Sequence, residues 1–334
     1  MADGSGSEEN LETKLVAAAA GPPAESSGGM SWLPLSSEFG RRLIEQSEGR
    51  LRDLSWFRTD WQRGGALTGY AIWEEGGEAL PVVVKLPVPP RERLWLKVLQ
   101  GAEDVAPRLL ADGDEVGGYD LAWVVMERIE HGPLGTAWGG VEFDLLIEAA
   151  ARFYKAASVF ETPEPEPEWD WHALLERARK KVRDIDITEA KRWKAALKSA
   201  RKRVDGWAET WAQRPRNHWC HGDLHLGNAM TRSAPPGGPA LLFDYARVHA
   251  GHWLRDAIYF EHLYWASPEL LDGRKLCNQL VKAMRQQGVE VEEDWAEWAE
   301  AYRALTAMMV PLRLQQEGAP VYVEAALELL EKHV

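Results

Sequence analysis

The sequence predicts an α+β chain with two lobes, a small N-terminal lobe built on a β-sheet and a larger, mainly helical C-terminal one. Three observations carry this. Short β-branched apolar runs, Pro81-Val82-Val83-Val84-Lys85-Leu86 and Leu121 to Ile129, crowd the first third of the chain. From residue 141 onward the apolar spacing turns helical and stays so almost to the end. Between these regimes, a tight loop at residues 220–228 runs into a short hairpin that ends at Asp244. The predicted division is 1–30 as a disordered tail, 31–130 as the small lobe and 131–334 as the helical lobe.

The tail comes first. Residues 1–30 hold Gly4-Ser5-Gly6-Ser7-Glu8-Glu9 and Ala17-Ala18-Ala19-Ala20-Gly21-Pro22-Pro23, with too few large apolar side chains to offset the entropy of ordering. Leu15 to Ala20 is too short and too poorly flanked by basic residues to read as a signal peptide. Next, Arg63-Gly64-Gly65-Ala66-Leu67-Thr68-Gly69-Tyr70 is glycine-rich, and Gly64 and Gly65 are candidates for a loop over phosphates; the alternative is an ordinary hairpin turn. The apolar run that ends at Lys85 reads as a strand. After Pro89-Pro90, the stretch Arg91 to Leu99 reads as an amphipathic helix whose sole acid, Glu92, is the candidate partner of Lys85. A solvent-facing acid in a first helical turn, favoured by the macrodipole, is the alternative for Glu92. Leu121 to Ile129 reads as a buried strand, ended by Gly132-Pro133.

The helical region starts with a long helix over Val141 to Phe160, followed by the Pro/Glu spacer Glu161 to Pro167 through which no helix continues. Arg177 to Arg203 is locally basic and helical in pattern, a solvated face or a surface for an anionic partner. Helices are expected at Trp253 to Tyr264, Pro268 to Gln287, Asp294 to Leu314 and Val321 to Glu331. The seventeen tryptophans, several of them here, suit helix packing better than an aromatic ligand box.

The chemistry concentrates in Cys220-His221-Gly222-Asp223-Leu224-His225-Leu226-Gly227-Asn228 and in Asp244 of Leu241-Leu242-Phe243-Asp244-Tyr245. Phosphoryl transfer needs one carboxylate to orient the attacking hydroxyl and accept its proton, and separate hard oxygen ligands for Mg²⁺. Gly222 and Gly227 allow the loop to turn both Asp223 and Asn228 toward one site. Ala229 to Thr231 and Ala240 to Phe243 read as two strands joined by the turn-rich Ser233 to Pro239, which returns Asp244 beside Asn228. A zinc site on Cys220, His221 and His225 is the rival reading. It lacks support, since Cys277 is the one other cysteine and no C-x-x-C pair completes a tetrahedral set.

The run His221 to Asn228 resembles the H-G-D-x-H-x-x-N signature of the aminoglycoside phosphotransferase and choline kinase-like family, which shares the protein-kinase fold. The resemblance implies that Asp223 is the catalytic base, that His221 supports the loop, and that Asn228 and Asp244 hold Mg²⁺. It implies that Asp256 supports the metal-holding residues without touching the ion itself, although Gly251-His252-Trp253-Leu254-Arg255-Asp256 departs from the commoner G-D-P-x-x-D form. It makes Lys85 the lysine that meets the α- and β-phosphates, and Met126, Glu127 and Ile129 the hinge positions that meet the adenine ring. The expected cofactors are Mg²⁺ and ATP, with GTP as a possibility, and the expected partners are a nucleoside triphosphate and a small hydroxyl-bearing molecule.

The implied activity is therefore a small-molecule kinase, the alternative being a non-catalytic member that binds a nucleotide or a partner. A protein kinase is disfavoured because eleven residues separate Asp244 from Asp256, too few for an activation segment. Glu261, Glu292, Glu293, Asp294, Glu297 and Glu300 suggest an amine-bearing acceptor, Glu261 being the nearest of them in sequence to the metal residues; a solvated helix face is the alternative for the rest. A net charge of −13 argues against nucleic acid. No run of about eighteen apolar residues predicts a membrane helix, and two cysteines without a disulfide framework suit a cytoplasmic protein.

Overall fold

The structure is a computed structural model and describes residues 34–57, 66–136, 139–165, 167–314 and 318–334. The tail at 1–30 and the glycine pair Gly64 and Gly65 lie outside the described residues. The chain forms two compact units. The first runs to Ala156 and takes back His225–Val248, and the second comprises Ala157–Leu224 and His249–Val334.

In the first unit, α1 (Pro34–Gln46) precedes β1 (Leu51–Phe57), β2 (Leu67–Glu75) and β3 (Glu78–Leu86). Then come α2 (Pro90–Val98), β4 (Leu109–Gly113) and β5 (Trp123–Glu127). The sheet is antiparallel in the order β1-β2-β3-β5-β4. Alternation along β3 sends Val82, Val84 and Leu86 into a core shared with Leu43, Leu51, Trp73 and Val125, while Lys85 falls on the opposite face. On β5 the residues Trp123 to Met126 are buried on both faces, which accounts for the unbroken apolar run in the sequence.

The long helix α3 (Val141–Ala157) follows and is shorter than expected, ending three residues before Phe160. Its Arg152 donates to the carbonyls of Asp104, at 3.0 Å, and Ala240, at 2.8 Å, tying it to the hairpin of β6 (Ala229–Thr231) and β7 (Ala240–Leu242). The strands fall within a residue of the sequence expectation.

The second unit holds α4 (Trp171–Asp184), α5 (Ala190–Ala200) and α6 (Val204–Ala212). Two three-residue strands, His218–Cys220 and His249–Gly251, pair antiparallel in it. After them come α7 (Leu254–His262), α8 (Leu276–Gln286), α9 (Trp295–Met308), α10 (Val310–Arg313) and α11 (Pro320–His333).

The single helix expected over Pro268 to Gln287 is broken. Asp272 (φ 46°) and Gly273 (φ 73°) adopt left-handed backbone, ending a short 3-10 turn before α8 begins. The expected Asp294 to Leu314 helix likewise splits into α9 and α10 at Met309, where Pro311 follows. Tryptophans fill this unit's core: Trp193, Trp211 and Trp253 are fully buried, and Trp211 stacks on Tyr302 with ring centres 4.1 Å apart.

Candidate active site

The candidate residues divide between the two units, and the chain passes directly from one half to the other at Leu224 and His225. In the first unit, Lys85 Nζ donates to both carboxylate oxygens of Glu92, at 2.7 and 2.8 Å. Glu92 lies in the first turn of α2 and is 2% exposed, so it is not the solvent-facing acid of the alternative reading. Burial pushes its carboxyl above the usual range, the Lys85 ammonium opposes that shift, and the nearby Asp244 carboxylate adds to it. Glu92 thus lies within electrostatic reach of both Lys85 and Asp244.

Asn228 and Asp244 flank the β6–β7 hairpin. The Phe243 amide donates to the Asn228 carbonyl at 2.9 Å and closes the hairpin at that end. Asp244 has φ 60° and ψ 65°, a left-handed backbone that costs a non-glycine residue about 1 kcal/mol. The buried Tyr245 holds the turn after it, its hydroxyl donating to the carbonyls of Val105 (3.1 Å) and Leu242 (3.0 Å). In the adjoining loop the Gly227 amide donates to His225 Nδ1 at 3.0 Å. A Cβ at residue 227 would lie 2.7 Å from the His225 ring, so this close approach requires glycine.

Strand β5 and the residues after it are fastened to the same hairpin. Glu127 pairs with Arg232 at 2.6 Å, and His131 and Thr231 exchange backbone hydrogen bonds at 3.2 and 2.8 Å. Met126 and Ile129 are buried, while the Glu127 and Arg128 amides donate to the carbonyls of Arg108 (2.9 Å) and Pro81 (3.0 Å).

In the second unit, His221 and Asp256 are buried. Asp256, in the first turn of α7, accepts the backbone amides of His221 (2.6 Å) and Gly222 (2.8 Å). Gly222 has φ 82°, which presents its amide to that carboxylate at no steric cost. Asp223 accepts a 2.7 Å hydrogen bond from the hydroxyl of Tyr259, one turn further along α7. Sequence reasoning missed Tyr259, because no motif contains it; its i, i+3 spacing from Asp256 on one helix was the available signal.

Cys220 does not offer a zinc ligand. Its thiol donates to the His252 carbonyl at 3.2 Å, and burial drives its pKa well above the ordinary value. The described residues instead gather His218, His252 and Glu292. There the Leu254 amide donates to His252 Nδ1 at 3.3 Å, which leaves the ring proton on Nε2, facing Glu292 at 3.4 Å. That tautomer makes a hydrogen bond rather than presenting a lone pair to an ion.

The acids proposed to meet a cationic acceptor are largely engaged within the unit. Arg303 grips Glu261 in a bidentate pair at 2.7 and 2.8 Å and also meets Glu300; Glu293 lies 3.6 Å from Arg285. In the basic helices Arg179 pairs with Glu176 and Arg192 with Glu331, both at 2.7 Å.

The sequence matches the model of the phosphotransferase enzyme family over residues 63–300. No curated protein matches it. Solved structures resemble it in fold. A microcompartment-associated aminopropanol kinase is 15% identical with a TM-score of 0.56, covering 86% of this chain and 94% of its own. A candidate aminoglycoside phosphotransferase from Ralstonia eutropha JMP134 is 15% identical with a TM-score of 0.55, covering 89% and 99%. A thermostable mutant of the aminoglycoside phosphotransferase APH(4)-Ia, in ternary complex with AMP-PNP and hygromycin B, is 15% identical with a TM-score of 0.50, covering 87% and 96%. Among the described residues no helix is long and apolar enough to cross a membrane.

Proposed function

Because this chain belongs to the phosphotransferase enzyme family, we propose that it transfers the γ-phosphate of a nucleoside triphosphate, ATP in the first instance, to a hydroxyl of a small molecule. Asp223 orients that hydroxyl and takes its proton. The observation that carries the reading is the Lys85–Glu92 pair at 2.7 Å in the same unit as Asn228 and Asp244. A buried acid that fixes a lysine, within electrostatic reach of Asp244, suits triphosphate binding.

Lys85 meets the α- and β-phosphates, and the backbone of Met126 to Ile129 meets the base. The Asn228 amide oxygen and the Asp244 carboxylate would hold Mg²⁺; they are hard oxygen donors on either side of one closed hairpin, the kind of set this ion prefers. When bound, the ion offsets the charge that develops on the phosphate oxygens. His221 and Asp256 keep the loop that carries Asp223 in one conformation. Glu261, paired with Arg303, gives no ground for an amine on the acceptor, so the acceptor is defined here by its hydroxyl only.

Calorimetry with Mg·ATP and Mg·GTP tests the reading. The wild-type chain should bind one of them, and Asp244→Ala should lose the Mg²⁺-dependent part of that binding. Failure of the wild type to bind either nucleotide, or unchanged affinity in Asp244→Ala, would overturn it. A nucleotide-consumption screen over small alcohols, amino-alcohols, sugars and aminoglycosides then identifies the acceptor.

A further inference from the structure

We infer that Tyr259 is a positioning residue for Asp223, a role that rests on the reading of Asp223 as the base. The Tyr259 hydroxyl donates to Asp223 Oδ1 at 2.7 Å, within the range of a charge-assisted hydrogen bond. Three residues earlier on the same helix, Asp256 accepts the amides of His221 and Gly222. Positions i and i+3 share a helix face, so one turn of α7 holds three consecutive loop residues, two by their backbone and the third by its side chain.

The two bonds do different things. Asp256 fixes where the loop runs, and its carboxylate never meets the Asp223 side chain through these bonds. Tyr259 fixes rotation about the Asp223 Cβ–Cγ bond, so a substrate hydroxyl meets the same carboxylate oxygen in the same orientation in every turnover, the condition for effective general-base positioning. The phenol suits this task because it is stiff. It has two side-chain torsions, its ring lies 5.2 Å from the His262 ring, and its own carbonyl accepts the His262 Nδ1 hydrogen.

The test is Tyr259→Phe in the full chain, which keeps the ring and removes the donor. Turnover of Mg·ATP is followed as ADP release, with water or the acceptor found by screening. Loss of a hydrogen bond to a charged group predicts a fall in kcat of about tenfold to hundredfold, with KM for Mg·ATP and the thermal midpoint unchanged.

The decisive arm is the double variant Asp223→Asn/Tyr259→Phe, which should turn over no more slowly than Asp223→Asn alone, since the phenol acts only through that carboxylate. If Asp223→Asn is impaired while Tyr259→Phe matches the wild type, or if the two losses multiply, Tyr259 does not position Asp223. If Asp223→Asn itself turns over at the wild-type rate, the base assignment falls and this inference with it.

Discussion

The backbone amide of His221 donates to the carboxylate of Asp256 at 2.6 Å, joining the loop before Asp223 to a helix 35 residues further along the chain. Asp256 is 1% exposed and takes the Gly222 amide as well. Asp256→Ala therefore leaves two amides without their acceptor inside the second unit. We expect a loss of about 2–5 kcal/mol of stability, read as a lower urea midpoint, together with loss of turnover. A variant as stable as the wild type would show that water replaces the carboxylate there.

Lys85→Ala removes the partner of a buried carboxylate. An unpaired buried charge costs about 3–5 kcal/mol, but a carboxyl already raised by burial escapes the cost by taking up a proton. The destabilisation should be largest at high pH, where Glu92 is ionised, and should shrink as pH falls and the carboxyl takes up its proton. Urea titrations of the variant at several pH values check the sign; a penalty that grows on acidification contradicts it. The companion Lys85→Ala/Glu92→Gln should recover much of the stability at high pH while leaving nucleotide binding impaired.

Acid should weaken the second unit through His252 and His262, whose imidazoles are held down to about 4 by burial, from an ordinary 6.5. Between those values the unfolded chain binds protons that the folded chain refuses. Stability is therefore complete above about pH 6.5 and is lost as pH falls toward 4, by up to about 3 kcal/mol for each imidazole. His262→Gln should flatten the slope of unfolding free energy against pH by about one proton's worth. An identical slope in wild type and variant would contradict the assignment to His262.

The parts of the site visible in the sequence are those set by local chain geometry. The hairpin that returns Asp244 to Asn228 followed from two short apolar runs about a proline- and glycine-rich turn, and Glu92 followed from being the sole acid on an amphipathic helix. Long-range partners left no such trace. Glu261 stood out as the acid nearest in sequence to the expected Mg²⁺ residues, yet it is held by Arg303, 42 residues away on another helix. Tyr259 looked like any aromatic in a helix until the fold brought its hydroxyl to Asp223. The break at Asp272 and Gly273 was missed because the apolar spacing on its two sides is helical, and the backbone turn lies between them.

Asp223→Asn measures most directly whether Asp223 orients the attacking hydroxyl. The substitution keeps the side-chain shape and an oxygen acceptor for Tyr259 but removes the base. With Mg·ATP and a hydroxyl acceptor, turnover should fall by about 10²–10⁴, the typical worth of a positioned base, while Mg·ATP affinity by calorimetry stays as in the wild type. Turnover at the wild-type rate in a folded Asp223→Asn chain would contradict the account.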